Sequence, residues 1–160
     1  MGAGQHAGAY YDMTSLPPPE KMATLVSGVT QTMLGLTFVP DKAKTHEALT
    51  WRTAVLPIPG ERPLTIGLSS DQHGCSRLSA AMFACSTDEV DQTMMNDALC
   101  ELVNMTAGLV KSVMSLNQAL GLPKIIPGES APAVPAASPA VIVLKADALG
   151  LVLWIYEGIA

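Results

Sequence analysis

The strongest constraint on this chain's fold is the run from Ser86 to Leu120, which carries a start signal, two distinct faces and a stop signal. Ser86 and Glu89 have capping-box spacing, so each side chain can take the other's free backbone N–H at a helix start. Helix-forming residues continue without proline to Leu120, and Gly121 with Pro123 reads as the end. At 100° per residue, Met95, Leu99, Leu102, Val103, Thr106, Leu109, Val110, Val113 and Leu120 gather on one broad face. Asp97, Glu101, Asn104, Gly108, Lys111 and Ser115 gather opposite. A helix this long and this clearly divided needs a large apolar surface to lie on.

The rest of the chain supplies one. Pro17-Pro18-Pro19 marks the entrance to a helix over about 20–36, with Leu25, Val29 and Met33 at one-turn spacing. Residues 48–58 alternate, with Leu49, Trp51, Thr53 and Val55 on one side, and Leu64, Ile66 and Leu68 alternate again after a Pro59-Gly60 turn signal. That pattern predicts an antiparallel hairpin. Cys75–Cys85 reads as a short helix. Residues 122–139 hold many prolines and read as an extended loop. Two near-continuous apolar strands, about Ala140–Lys145 and Leu149–Tyr156, are expected to lie centrally or to pair at an edge with another chain. The fold class is therefore α+β, an antiparallel sheet with helices packed on it. Residues 1–19, small and polar, are expected to form a flexible arm, and 20–160 a single domain. No internal duplication is visible.

Composition removes several functions. The net charge is −5 with no cluster of Lys and Arg, which excludes the phosphate neutralisation that nucleic-acid binding needs. No apolar run reaches the roughly 18 residues that span a bilayer, so no membrane insertion is expected. The N-terminus has neither a signal-peptide pattern nor a Ser or Thr at His6 to complete a myristoylation site. Cys75, Cys85 and Cys100 show no CxxC spacing and read as buried, reduced thiols of a cytoplasmic protein. His6, His46 and His73 are too scattered to form a metal-binding set, and no cofactor is expected.

The chemistry then falls to the polar face of the long helix. Glu101 and Asn104 stand at i and i+3 and project side by side, with Asp97 one turn earlier. Ionised Glu101 is acceptor-only and suits a partner's Lys or Arg. Asn104 offers a donor and an acceptor without charge, so it can hold a water near a phosphoryl group that would repel a carboxylate. Gly108, mid-helix on this face, costs about 0.5–1 kcal/mol relative to alanine and points to close approach by another surface. The plain alternative is that such residues only keep an exposed face wet. Met94, Met95, Met105 and Met114 are read as core filler rather than as a ligand pocket.

A longer pattern separates these readings. Asp97, three residues, Glu101, two residues, Asn104, twenty-two residues, Pro127 resembles the signature of the CheC/CheX/FliY chemotaxis phosphatases, and 97–112 is similar to their motif helix. A single motif makes the chain most similar to the CheX group. Cys100, where a small residue is expected, and the Pro/Ala-rich stretch 128–139 depart from the pattern. The resemblance implies a phosphatase acting on the aspartyl-phosphate of a CheY-like response regulator. Glu101 would salt-bridge the regulator's lysine and Asn104 would position the attacking water. Asp97 and Pro127 would shape the site, with Gly108 and Lys111 on the docking face. The Mg²⁺ would be the regulator's, and the protein would be a homodimer that joins sheets. The competing expectation is a docking or scaffold module of the same fold, for a regulator or a flagellar-switch component.

Overall fold

The computed structural model describes residues 16–42, 49–127 and 140–159. The flexible arm expected at the N-terminus lies outside the described residues up to residue 15, as does the stretch 128–139. In chain order the elements are α1 (Pro19–Leu34), β1 (Val39–Pro40), β2 (Arg52–Ile58), β3 (Leu64–Ser70), α2 (Gln72–Met82), a 3₁₀ turn (Thr87–Glu89), α3 (Gln92–Val113), β4 (Lys124–Pro127), β5 (Ala140–Ala146) and β6 (Leu149–Glu157). The expected class is what the chain adopts: one antiparallel sheet with three helices packed on it.

The expected hairpin is β2–β3, in register from Arg52↔Ser70 to Ile58↔Leu64. A second hairpin, β5–β6, turns at Asp147, which sits in the left-handed region at φ 53°. The two hairpins meet at β3 and β6, and the sheet order is β1-β5-β6-β3-β2-β4. Exchanging β1 with β4, β2 with β5 and β3 with β6 turns this order into its own reverse. The fold is therefore internally two-fold in strand order, a repeat that is not visible in the sequence. Each half is a helix followed by three strands, and α2 lies between the halves. The halves differ in side chains, so the repeat shows in strand order and not in residues.

Alternate residues of the central strands serve two cores. Leu56, Ile66, Leu68, Leu153 and Ile155 meet Met22 and Val26 of α1 and Leu99, Leu102 and Val103 of α3. On the other face Leu49, Val55, Val152 and Trp154 form a second cluster. Gly67 is required there, because a Cβ at that position would run into the indole ring of Trp154. Both faces of β6 are buried up to Ile155, so its near-continuous apolar character marks a central strand. β4, which sequence reading placed within a loop, and the short β1 are the outer strands.

The long helix is shorter than expected at both ends. The Ser86–Glu89 box exists, but it closes the separate 3₁₀ turn. Val90 is extended (ψ 129°), and Asp91 restarts the chain as the N-cap of α3, accepting from the Met94 N–H at 2.8 Å. At the other end Ser115 takes the left-handed conformation (φ 55°), and Leu116 N–H reaches Lys111 C=O at 3.0 Å. That is a Schellman closure without the glycine that usually signals it. Gly121 and Pro123 therefore shape the connection after the helix rather than its end. Of the three free thiols only Cys75 is buried, while Cys85 and Cys100 are partly exposed.

Candidate functional site

The rotation of α3 about its axis decides which residues face outward. Met95, Ala98, Leu99, Leu102, Val103, Thr106, Ala107 and Val110 are buried against the sheet and α1. A polar clamp holds the first turns. Buried Arg52, at the start of β2, donates through Nη1 to Asn96 Oδ1 at 2.7 Å and through Nη2 to Gln92 Oε1 at 3.3 Å. The Trp51 ring lies 4.4 Å from its guanidinium carbon. With Asn96 turned to the sheet, Asp97 and Glu101 are left exposed and Asn104 half-buried.

These three residues and Cys100 form one wall of a cleft of about 410 Å³. Gly121, Leu122 and Pro123 form the other. The second wall is brought there by the connection from α3 to β4. Leu116 and Leu120 pack on the core. Gln118 plugs the β2–β3 turn, donating from Nε2 to Ile58, Pro59 and Arg62 carbonyls (2.9–3.3 Å) and accepting the Arg62 N–H at 3.0 Å. Gly121 N–H then donates to Pro57 C=O at 2.7 Å. A Cβ on Gly121 would sit 2.7 Å from Pro57 Cγ, so no other residue fits without displacement.

Among the described residues, no hydrogen bond or ion pair engages the side chains of Asp97, Glu101 or Asn104. Their donors and acceptors are available to a partner. Burial, and then the Asp97 charge, pushes the Cys100 thiol up, so it stays protonated and is a poor nucleophile. Among the described residues no histidine lines the cleft. The arrangement can therefore orient and polarise a bound group, and it lacks a nucleophile–base pair. Among the described residues no cluster of three or more His, Cys, Asp or Glu is placed to hold a metal ion.

The remaining expected residues lie elsewhere. Pro127 ends β4, in register with Arg52 of β2. As the last residue of an outer strand it forgoes a ladder N–H at little cost. Gly108 lies one turn beyond Asn104, in an apolar groove of about 490 Å³ with Gly28, Val29, Thr32, Met105 and Leu109. Apart from its own helix, nothing of the described chain lies within 4 Å of a Cβ built on Gly108, so no described loop packs on it. Lys111 falls in the last turn of α3, where a cation complements the helix dipole. Sequence reading missed the role of 121–123, because Gly121 and Pro123 resemble a helix stop, and it missed Gly28. The glycine recurring mid-helix in both α1 and α3 was the signal available for the latter.

The profile of the family described as chemotaxis phosphatase CheX matches residues 52–145. That is more than half of the chain, which belongs to the CheX chemotaxis phosphatase family. A CheX crystal structure from Desulfovibrio desulfuricans is 20% identical and has a TM-score of 0.65, covering 86% of this chain and 96% of its own. CheX from Vibrio vulnificus reaches a TM-score of 0.73 at 12% identity, covering 91% and 98%. CheX in a CheX–CheY–BeF₃–Mg²⁺ complex from Borrelia burgdorferi has a TM-score of 0.68 at 15% identity, covering 89% and 97%. At such identities the likeness is one of fold. A search of curated protein sequences finds no significant match. Among the described residues, no helix is long and apolar enough to cross a membrane.

Proposed function

We propose that this chain accelerates hydrolysis of the aspartyl-phosphate of a CheY-like receiver domain in the cytoplasm. The observation that carries the reading is the pair Glu101–Asn104, side by side and uncommitted on the outer face of α3, in a chain of the CheX family. Glu101 pairs with the receiver's active-site lysine and sets the docking register. Asn104, being neutral, enters the phosphorylation pocket and holds a water in line with the phosphorus–acyl oxygen bond. Water adds to phosphorus, that bond breaks, the aspartate carboxylate leaves, and the proton of the water passes to the released phosphate. The receiver carries the Mg²⁺ that neutralises the phosphoryl oxygens. The helix contributes orientation, which in reactions of this kind is worth several powers of ten.

Asp97 sits one turn before Glu101 and adds negative charge to the wall that meets the lysine. Gly108 leaves room for the receiver beyond Asn104. The outer strands of the sheet leave edges through which two copies can join, as the resemblance to CheX implies. Light scattering at micromolar concentration tests that pairing.

The deciding measurement is phosphate release from a phosphorylated CheY-type regulator of the same organism, with wild type and with Asn104→Ala. Wild type should accelerate release, and Asn104→Ala should lose at least about a hundredfold of that acceleration while still binding. Binding without acceleration by wild type would replace the phosphatase reading with a docking module.

A further inference from the structure

Leu122 is 84% exposed, far more than the other large apolar side chains of the described chain. Single exposed leucines are ordinary on protein surfaces and need no explanation by themselves. This one differs in how it is held. Along the connection after α3, Met114 is buried and Leu116 and Leu120 pack against the core. At Gly121 the phase changes. The glycine takes the inward slot under Pro57, which has no space for a side chain, and Leu122 is turned out. Pro123 follows and confines Leu122 to extended backbone. Gln118, bonded to the β2–β3 turn, anchors the same connection from the other side. The leucine is thus presented on a braced backbone at the rim of the cleft, across from Asp97, Glu101 and Asn104.

We infer that Leu122 is the apolar anchor with which this chain grips the receiver domain. It inserts against an apolar patch beside the receiver's phosphorylation pocket while Glu101 and Asn104 engage the pocket itself. The inference rests on the phosphatase reading, since the occupant of the cleft is that reading's receiver. The charge on the helix wall favours a partner that presents a cation there. A cation alone gives a long-range, salt-sensitive contact, whereas a braced apolar side chain adds short-range affinity with little ordering cost. Binding and chemistry are then divided between the two walls: the connection supplies affinity and the helix supplies the reaction.

The test records phosphate release against receiver concentration for wild type, Leu122→Ala, Leu122→Asp and Leu122→Met, with a phosphorylated CheY-type receiver of the same organism. Leu122→Ala should raise the half-saturating receiver concentration about tenfold, with the maximal rate within about twofold of wild type. Leu122→Asp should raise it further, and Leu122→Met should restore it. Because the side chain is exposed, unfolding midpoints of all three variants should match wild type, and a lowered midpoint would assign Leu122 to the fold instead. Unchanged half-saturation for Leu122→Ala and Leu122→Asp, with Asn104→Ala still inactive, overturns the anchor and leaves the phosphatase reading standing. A lower maximal rate at unchanged half-saturation also overturns it. If wild type binds the receiver without accelerating release, the phosphatase reading fails, and the same variants decide the anchor through their dissociation constants. Absence of binding by wild type overturns both.

Discussion

Helices α1 and α3 occupy equivalent places in the two halves of the fold, and they have been put to different uses. With Gly28 set on Gly108, the buried faces correspond: Met22 with Leu102, Ala23 with Val103, Val26 with Thr106 and Thr30 with Val110. Thr30 and Thr106 each donate to the carbonyl four residues earlier, but one turn apart in this alignment. The two glycines line the same groove between the helices. On the outer faces the match ends. Lys21 and Thr24 stand where α3 has Glu101 and Asn104. The connections differ as well: α1 passes to β1 through Gly35–Phe38, while α3 passes to β4 through the braced 114–123 segment. Packing against the sheet therefore constrains only the inner face of such a helix. On the proposed reading the functional face is that of α3, which has its own side chains and, in 121–123, a second wall.

The sharpest way to break this comparison is to make α3 resemble α1. Glu101→Lys with Asn104→Thr should remove at least about a hundredfold of the acceleration of phosphate release, without lowering the unfolding midpoint, because neither residue is buried. Adding Lys21→Glu and Thr24→Asn to that variant should restore nothing, since α1 lacks the long return connection. Recovery of activity would show that the pair suffices without a second wall.

The inner faces should behave alike. Met22→Ala and Leu102→Ala each delete a fully buried side chain, and each should cost about 2–5 kcal/mol in denaturant unfolding. A cost confined to one helix would mean that the halves are not equivalent in the core. At the groove, Gly108→Leu should weaken receiver binding about tenfold while leaving stability within about 1 kcal/mol, because a Cβ there meets nothing within 4 Å. Unchanged affinity would remove the groove from the docking face.

The smallest expected effect concerns pH. Burial pushes the Cys75 thiol from 9.0 up to about 12, offset in part by Arg52. The unfolded chain gives up this proton first, so the stability tied to the neutral thiol is complete below about pH 9. It is lost progressively as pH rises toward 12, by about 1 kcal/mol at pH 10. Urea unfolding at pH 8 and pH 10, compared between wild type and Cys75→Ala, isolates that loss. Alkylation at pH 8 should likewise label Cys85 before Cys75, which is fully buried.

Much is legible in the sequence alone, and for a physical reason. Burial against a flat surface imposes periods of 3.6 and 2 on a sequence. Helices α1 and α3 could therefore be read from the spacing around Leu25 and Leu102, and the hairpins from the alternation of Leu64, Ile66 and Leu68 and the apolar run of β6. The pattern from Asp97 to Asn104 could be read because a helix places i, i+3 and i+4 on one face whatever surrounds it. Helix ends were less legible, since left-handed Ser115 and extended Val90 are single-residue choices that tertiary contacts impose on residues with no strong preference of their own. The internal two-fold and the strand status of Lys124–Pro127 depend on which segments meet across the sheet, and neighbours in sequence carry no record of that. The same holds for the cleft. The sequence by itself determined that Asp97, Glu101 and Asn104 share one face of α3, because helical geometry is local. Only the tertiary structure decided that Gly121, braced beneath Pro57, would set Leu122 opposite them, because that contact joins segments far apart in the chain.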